Sequence, residues 1–198
     1  MKILFQGDSI TDADRDRSNY HNLSGYTKYV QELLGEEIEY VNLGIAQEKS
    51  KDLLKRYETD IKAIHPNILT ILIGINDVWH AFNREEYTSP TEYYNNLKEI
   101  VVRAKKDIEG VKIIILEPYL LPEPNKAYWR PHMVKFVDMC RKVAIEEADV
   151  FIPLDGIFAK ECLKTDWRLL AEDGVHPNKA GQKLIAKELA KEIKNLIK

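Results

Sequence analysis

The chain has 198 residues, 44% hydrophobic and 31% charged, the make-up of a soluble globular protein long enough to bury roughly 70% of its unfolded surface without metal or disulfide support. Lysine and arginine number 29 against 32 acidic residues, a net charge of −3 with no long single-sign block, which excludes the concentrated basic surface that a nucleic-acid partner needs. No apolar run approaches the ~20 residues that span a bilayer, so no membrane partner is expected. Met1 leads at once into a strand-like run, leaving no room for a signal peptide, and the two cysteines, Cys140 and Cys162, read as reduced thiols. A cytoplasmic location and one domain, residues 1–198, are expected.

Lys2–Phe5 is a short buried strand, followed by Gly7-Asp8-Ser9. Gly7 lets the backbone turn as it leaves the sheet. Asp12–Leu23 reads as a loop. Its alternating Asp12, Asp14 and Asp16 fail the calcium-loop pattern at Arg17 and Leu23, and pairing with Arg15 and Arg17 is expected instead. Tyr26, Tyr29, Val30 and Leu33 share one helical face. Ile38–Val41 is a second strand. Leu53, Leu54, Tyr57, Ile61 and Ile64 mark a second helix, ended by His65-Pro66. Ile68–Ile73 is a third strand, Gly74-Ile75-Asn76-Asp77 follows it, and Trp79–Ser89 is read as a loop.

Tyr93, Leu97, Ile100, Val101 and Ala104 mark a third helix, and Ile113–Leu116 a fourth strand. The loop Glu117–Arg130 carries three prolines with Tyr119, Tyr128 and Trp129. It is either a cleft wall or a loop packed on its own apolar side chains. Val137, Cys140, Val143 and Ala144 form a fourth helical face, Val150–Leu154 a fifth strand, and Ile185, Leu189, Ile193 and Leu196 the last helix. Strands apolar on both faces alternate with amphipathic helices, which predicts an α/β fold with three α/β/α layers around a five-stranded parallel sheet. The loops after strands one, three and four fall on the edge where such sheets bind ligands.

Ser9 at the end of the first strand is a candidate nucleophile, and a serine hydroxyl needs a base to take its proton. Asp173 and His176 are spaced so that the carboxylate reaches Nδ1 and leaves Nε2 for the serine. Asn76 can donate an N–H to charge on a carbonyl oxygen, or be an asparagine in a tight turn. His21, His65, His80 and His132 lack the grouping of a zinc site. No metal and no cofactor are expected. Trp79 is a substrate-facing wall or a core anchor for its loop.

Gly7-Asp8-Ser9, Gly74-x-Asn76-Asp77 and Asp173-x-x-His176-Pro177, in that order over essentially the whole chain, resemble the GDSL/SGNH hydrolase family. The stretch Ile73–Trp79 and the run Asp173-Gly174-Val175-His176-Pro177 are similar to its carbohydrate acetylesterase branch, which includes acetylxylan esterases. The resemblance implies the flavodoxin-like SGNH fold, with Ser9 as nucleophile, His176 as base and then acid, and Asp173 orienting it. It implies an oxyanion hole of the Ser9 N–H, the Asn76 side chain and a main-chain N–H after strand two, and a substrate-binding part for Asp8 and Trp79. After strand two the family usually reads Asn-x-Gly-Ile-Ser-Gly-Asn-Thr. Here the run is Asn42-Leu43-Gly44-Ile45-Ala46-Gln47-Glu48-Lys49. Gln47 therefore holds the donor position, where its main-chain N–H survives and its Cβ adds bulk.

The implied activity is hydrolysis of short acyl esters, acetyl above all, on a sugar or oligosaccharide. Two other readings stay open: a lysophospholipase or acyl-thioesterase using the same triad, and a non-catalytic carbohydrate-binding module. The aromatic loop could also serve a homo-oligomer contact.

Overall fold

Branched aliphatic side chains dominate five short segments, and those segments form the sheet. A computed structural model describes residues 1–198. Its strands are β1 (Lys2–Gly7), β2 (Glu39–Asn42), β3 (Ile68–Leu72), β4 (Lys112–Leu116) and β5 (Val150–Ile152). All pairs are parallel, in the order β2-β1-β3-β4-β5. All five residues of β3 are buried, as expected of a strand covered on both faces.

The helices are α1 (Ser9–Asp12), α2 (Gly25–Leu34), α3 (Ser50–Lys55), α4 (Ile75–Asn83), α5 (Pro90–Asp107), α6 (Arg130–Glu147), α7 (Leu154–Glu161) and α8 (Lys179–Leu196). α2 packs with α8, while α5 packs with both α3 and α6. The sheet lies between the two groups, with a core of 49 buried side chains. The chain winds outward from β1 in two directions, first to β2 and then to β3 on its other side. The crevice between the C-terminal ends of β1 and β3 is the topological switch point.

Three predicted boundaries move. Trp79 and the four residues after it belong to α4 rather than to a loop; Ile75, Val78, Trp79 and Phe82 recur at helical spacing, a signal that the turn-like Gly74-x-Asn76-Asp77 masked. The fifth strand stops at Ile152, because Pro153 cannot donate to the ladder and stands at the start of α7. The predicted second helix splits into α3 and a wide π turn, Glu58–Lys62. That turn lies where Arg56 and Asp60 both reach the buried Gln6, at 3.0 Å each. In the acidic loop, Arg17 Nε donates to Asp12 at 3.1 Å and Arg15 lies 3.8 Å from the same carboxylate. No helix is long and apolar enough to cross a membrane.

Gly7 acts through space rather than through a sharp turn. A Cβ on it would stand 2.4 Å from Leu72 O and 2.3 Å from Thr11 Oγ1. Gly44 meets the same limit, since its Cβ would lie 2.5 Å from Asp12 N and 2.8 Å from Thr11 C. The loop after β2 is therefore pressed backbone to backbone on α1. Gly44→Ala should lower stability by about 1–3 kcal/mol, the cost of forcing atoms into a packed interior, read as a lower urea midpoint with an unchanged slope.

Candidate active site

Ser9 is the first residue of α1, directly beyond β1. Asp8 caps that short helix: its Oδ1 accepts from Ile10 N at 3.0 Å and its carbonyl from Asp12 N at 2.9 Å. The Ser9 hydroxyl lies 2.9 Å from His176 Nε2. His176 Nδ1 lies 2.8 Å from Asp173 Oδ2, while Asp173 Oδ1 accepts from the N–H groups of Val175 (2.9 Å) and His176 (2.7 Å). One carboxylate thus folds its own turn and holds the ring, so the proton stays on Nδ1 and Nε2 accepts from the serine.

The loop between β4 and α6 braces this turn from outside. Leu121 N donates to Gly174 O at 2.9 Å, and the buried Tyr119 hydroxyl donates to Val175 O at 2.9 Å. The Lys126 ammonium donates to Asp173 O and lies 5.3 Å from the Trp79 ring centre. Trp79 packs on Trp129 at 5.2 Å and on His176 at 5.7 Å. No residue of Glu117–Arg130 lines the cavity that holds Ser9, so the aromatic loop is a packed unit behind Trp79 and His176, with Tyr119 and Trp129 buried in it, rather than the cleft wall itself.

Burial pushes the Asp173 carboxyl up, but the bonds from the His176 ring and from the Val175 and His176 N–H groups outweigh it, leaving a pKa of about 2. The hydrogen bond from Asp173 raises the His176 imidazole above its ordinary value, against the opposing effect of burial.

Asn76 and Asp77 open α4 and tie it to the loop after β2. Asn76 Nδ2 donates to Glu48 O at 3.0 Å, which leaves its second amide proton for a ligand. Asp77 accepts from Ser50 N at 3.0 Å and Ser50 Oγ at 2.7 Å. Burial pushes its pKa up to about 6. From the far side Arg56 donates to Leu43 O (2.7 Å) and Glu48 (2.8 Å). Gln47 stands at the crest of this loop with φ 72°. Its N–H makes no hydrogen bond within the protein, and its side-chain Oε1 accepts from Arg84 Nη2 at 2.6 Å. A left-handed residue with a Cβ costs about 1–2 kcal/mol, so the backbone here has the shape a glycine would take.

Ser9, Asn76, Gln47, Trp79, Arg84 and His176 line one cavity of about 580 Å³. Asp8 does not. It is 1% exposed, its Oδ2 has no partner, and burial lifts its pKa to about 7. A substrate-binding part for Asp8 is therefore replaced by a place beneath Ser9, because a helix cap must fold its carboxylate back onto the chain. Lys126 and Arg84 went unread in the sequence, carry no local signal and gain their place only from the fold. Asp77 and Tyr119 belong to the quoted tetrapeptide and to the aromatic loop, but their contacts here were not foreseen.

A model of the GDSL-like lipase/acylhydrolase family matches residues 5–184. The chain belongs to that family. It is 33% identical over 207 residues to an acetylxylan esterase of Geobacillus stearothermophilus, covering 97% of this chain and 93% of that one. Axe2, a solved acetylxylan esterase of that organism, superposes with a TM-score of 0.86 at 31% identity, covering 97% and 93%. Axe2 variants described as catalytic mutants replace a serine, a histidine and an aspartate three residues before that histidine. The thioesterase 1/protease 1/lysophospholipase L1 of Escherichia coli is 30% identical over 159 residues, covering 79% of this chain and 68% of that one. As a GDSL-like acylhydrolase, the protein is a carboxylic ester hydrolase.

Removing the Asp173 charge removes what favours the imidazolium. In Asp173→Asn the His176 pKa, followed by the NMR shift of the ring Cε1 proton, should fall from above about 6.5 to that value or below. An unchanged titration would mean that Asp173 does not set it.

Proposed function

We propose that this member of the family removes acetyl groups from a sugar or short oligosaccharide through Ser9, His176 and Asp173. The observation that carries the reading is the unbroken path from Asp173 through the His176 ring to the Ser9 hydroxyl, at 2.8 and 2.9 Å, opening into a cavity that Gln47, Asn76, Asn83 and Arg84 also line. Ser9 Oγ attacks the ester carbonyl carbon while its proton passes to His176 Nε2. The carbonyl oxygen takes up the negative charge beside Asn76 Nδ2 and the N–H groups of Ser9 and Gln47. As the tetrahedral species collapses, the imidazolium returns the proton to the departing alcohol oxygen and acetyl-Ser9 remains. Water then attacks the acyl carbon, its proton goes to His176, and acetate leaves as Ser9 recovers its hydrogen.

The alternative, a lysophospholipase or acyl-thioesterase, needs an apolar channel for a long acyl chain. The cavity that holds Ser9 instead has Asn76, His80, Asn83 and Arg84 in its lining. An intact Ser–His–Asp path argues against a binding module. The cytoplasm is the compartment we assign, on two unpaired thiols, one of them buried.

p-Nitrophenyl acetate should be cleaved well above the octanoate and palmitate esters. Ser9→Ala should abolish nearly all of that activity and all labelling by a fluorophosphonate; more than a few per cent remaining would remove Ser9 from the nucleophile's part. The base is the neutral imidazole, and Asp173 raises its pKa. The rate should therefore fall as pH drops through a value above about 6.5. A pH–rate profile with no acid limb would contradict a histidine base.

A further inference from the structure

Arg84 differs from every other arginine of the chain. Each of the others has a carboxylate within 4.0 Å, whereas Arg84 has none. It caps the C-terminus of α4 through its backbone N–H, which bonds to His80 O, and its side chain lines the cavity that holds Ser9. The only protein partner of the guanidinium is Gln47 Oε1, at 2.6 Å. A guanidinium can only donate, so that bond fixes which end of the Gln47 amide faces it. One donor of five is used, leaving a planar fork at the cavity wall.

The neighbouring charges do not neutralise it. Glu86, two residues on, is held by the buried Lys49 ammonium at 3.0 Å. Asp14 lines the same cavity but forms no ion pair with Arg84. His80, also in the wall, is pushed below its ordinary pKa by burial and is neutral near pH 7. The cavity therefore carries one fixed positive charge outside the triad, and its acidic group, Asp14, belongs to the segment after α1 rather than to α4. A single planar cation suits a planar monoanion better than a phosphate, which draws on several cations or backbone donors.

We propose that Arg84, held in place by Gln47, binds a carboxylate carried by the substrate beside the scissile ester, so that acetylated acidic sugars are preferred over neutral ones. This rests on the ester-hydrolase reading above and names the substrate class of that same cavity. The Gln47 position gains a second purpose: its main-chain N–H faces the oxyanion while its side chain orients the cation that reads the sugar. A glycine there could supply the first and not the second.

The test compares two esters that differ only in the charge: an O-acetylated methyl galactoside and the same compound with its C6 alcohol oxidised to a carboxylate. For the native enzyme kcat/KM should favour the acid by about threefold at low salt, the worth of an ion pair to an exposed side chain. The preference should shrink at high ionic strength. Arg84→Gln should bring the ratio to about one. Arg84→Lys should keep part of it, as a charge without the fork. Gln47→Glu should also abolish it, because the new carboxylate occupies the guanidinium. Since Arg84 caps α4 through its backbone alone, these exchanges leave the helix end intact. Equal hydrolysis of both sugars by the native enzyme, or a ratio that survives Arg84→Gln, overturns the proposal while leaving the esterase reading in place. If p-nitrophenyl acetate is untouched and the fluorophosphonate leaves Ser9 unlabelled, both fall together.

Discussion

Everything in the site depends on the parallel pairing of β1 with β3. Their register, Ile3 with Ile68 through Gly7 with Leu72, ends both strands at the same height. The next residues of each chain segment are then Asp8-Ser9 and Gly74-Ile75-Asn76. Because β2 lies on the other side of β1, the loop that follows it must arch over the start of α1. Three segments far apart in sequence are thus delivered to one crevice by sheet order, before any side chain makes a specific contact. A shift of register by one residue would separate the hydroxyl from the carboxamide and turn every buried strand side chain to the wrong face.

Within that frame the polar groups are organised by short-range self-satisfaction. Asp173 accepts two N–H groups of its own turn and one from the histidine ring. Asp8 does the same for α1, and Asn42 for the loop after β2, its Oδ1 accepting from Gly44 N at 2.9 Å and its Nδ2 donating to Thr11 O at 2.8 Å. Each carboxylate or amide first fixes the backbone that carries it. This keeps the reactive atoms placed without a ligand, which electrostatic catalysis requires. The electrostatic asymmetry follows from burial. Asp173, rich in donors, stays ionised, while Asp8 and Asp77, deeper and poorer in donors, are pushed toward neutrality.

The sheet was legible because branched residues on both faces of a strand leave few alternatives, and the hydrogen-bonded path from Asp173 through His176 to Ser9 because Gly7-Asp8-Ser9 and the Asp173–His176 spacing are local features. The helix beginning at Ile75 was not, since the Gly-x-Asn-Asp run that starts it looks like a turn. Asp8 was misread because sequence shows a carboxylate next to the serine but not the direction in which it folds. Lys126 and Tyr119 brace the histidine turn across about fifty residues of chain, and no window of sequence contains both ends of those contacts. Arg84 stands out only after every other arginine is found to be paired.

The left-handed backbone at Gln47 also constrains how the protein can change. The side chain at that strained position bonds Arg84 at 2.6 Å, so the two positions are energetically coupled: whichever is changed first alters the effect of changing the other. Losing Arg84 leaves Gln47 with the backbone penalty and without that bond, which favours replacement by glycine. Restoring glutamine afterwards would then need the arginine to arrive beforehand. Such a pair makes the arrangement of this part of the cavity wall easier to lose than to regain, a ratchet created by one dihedral angle.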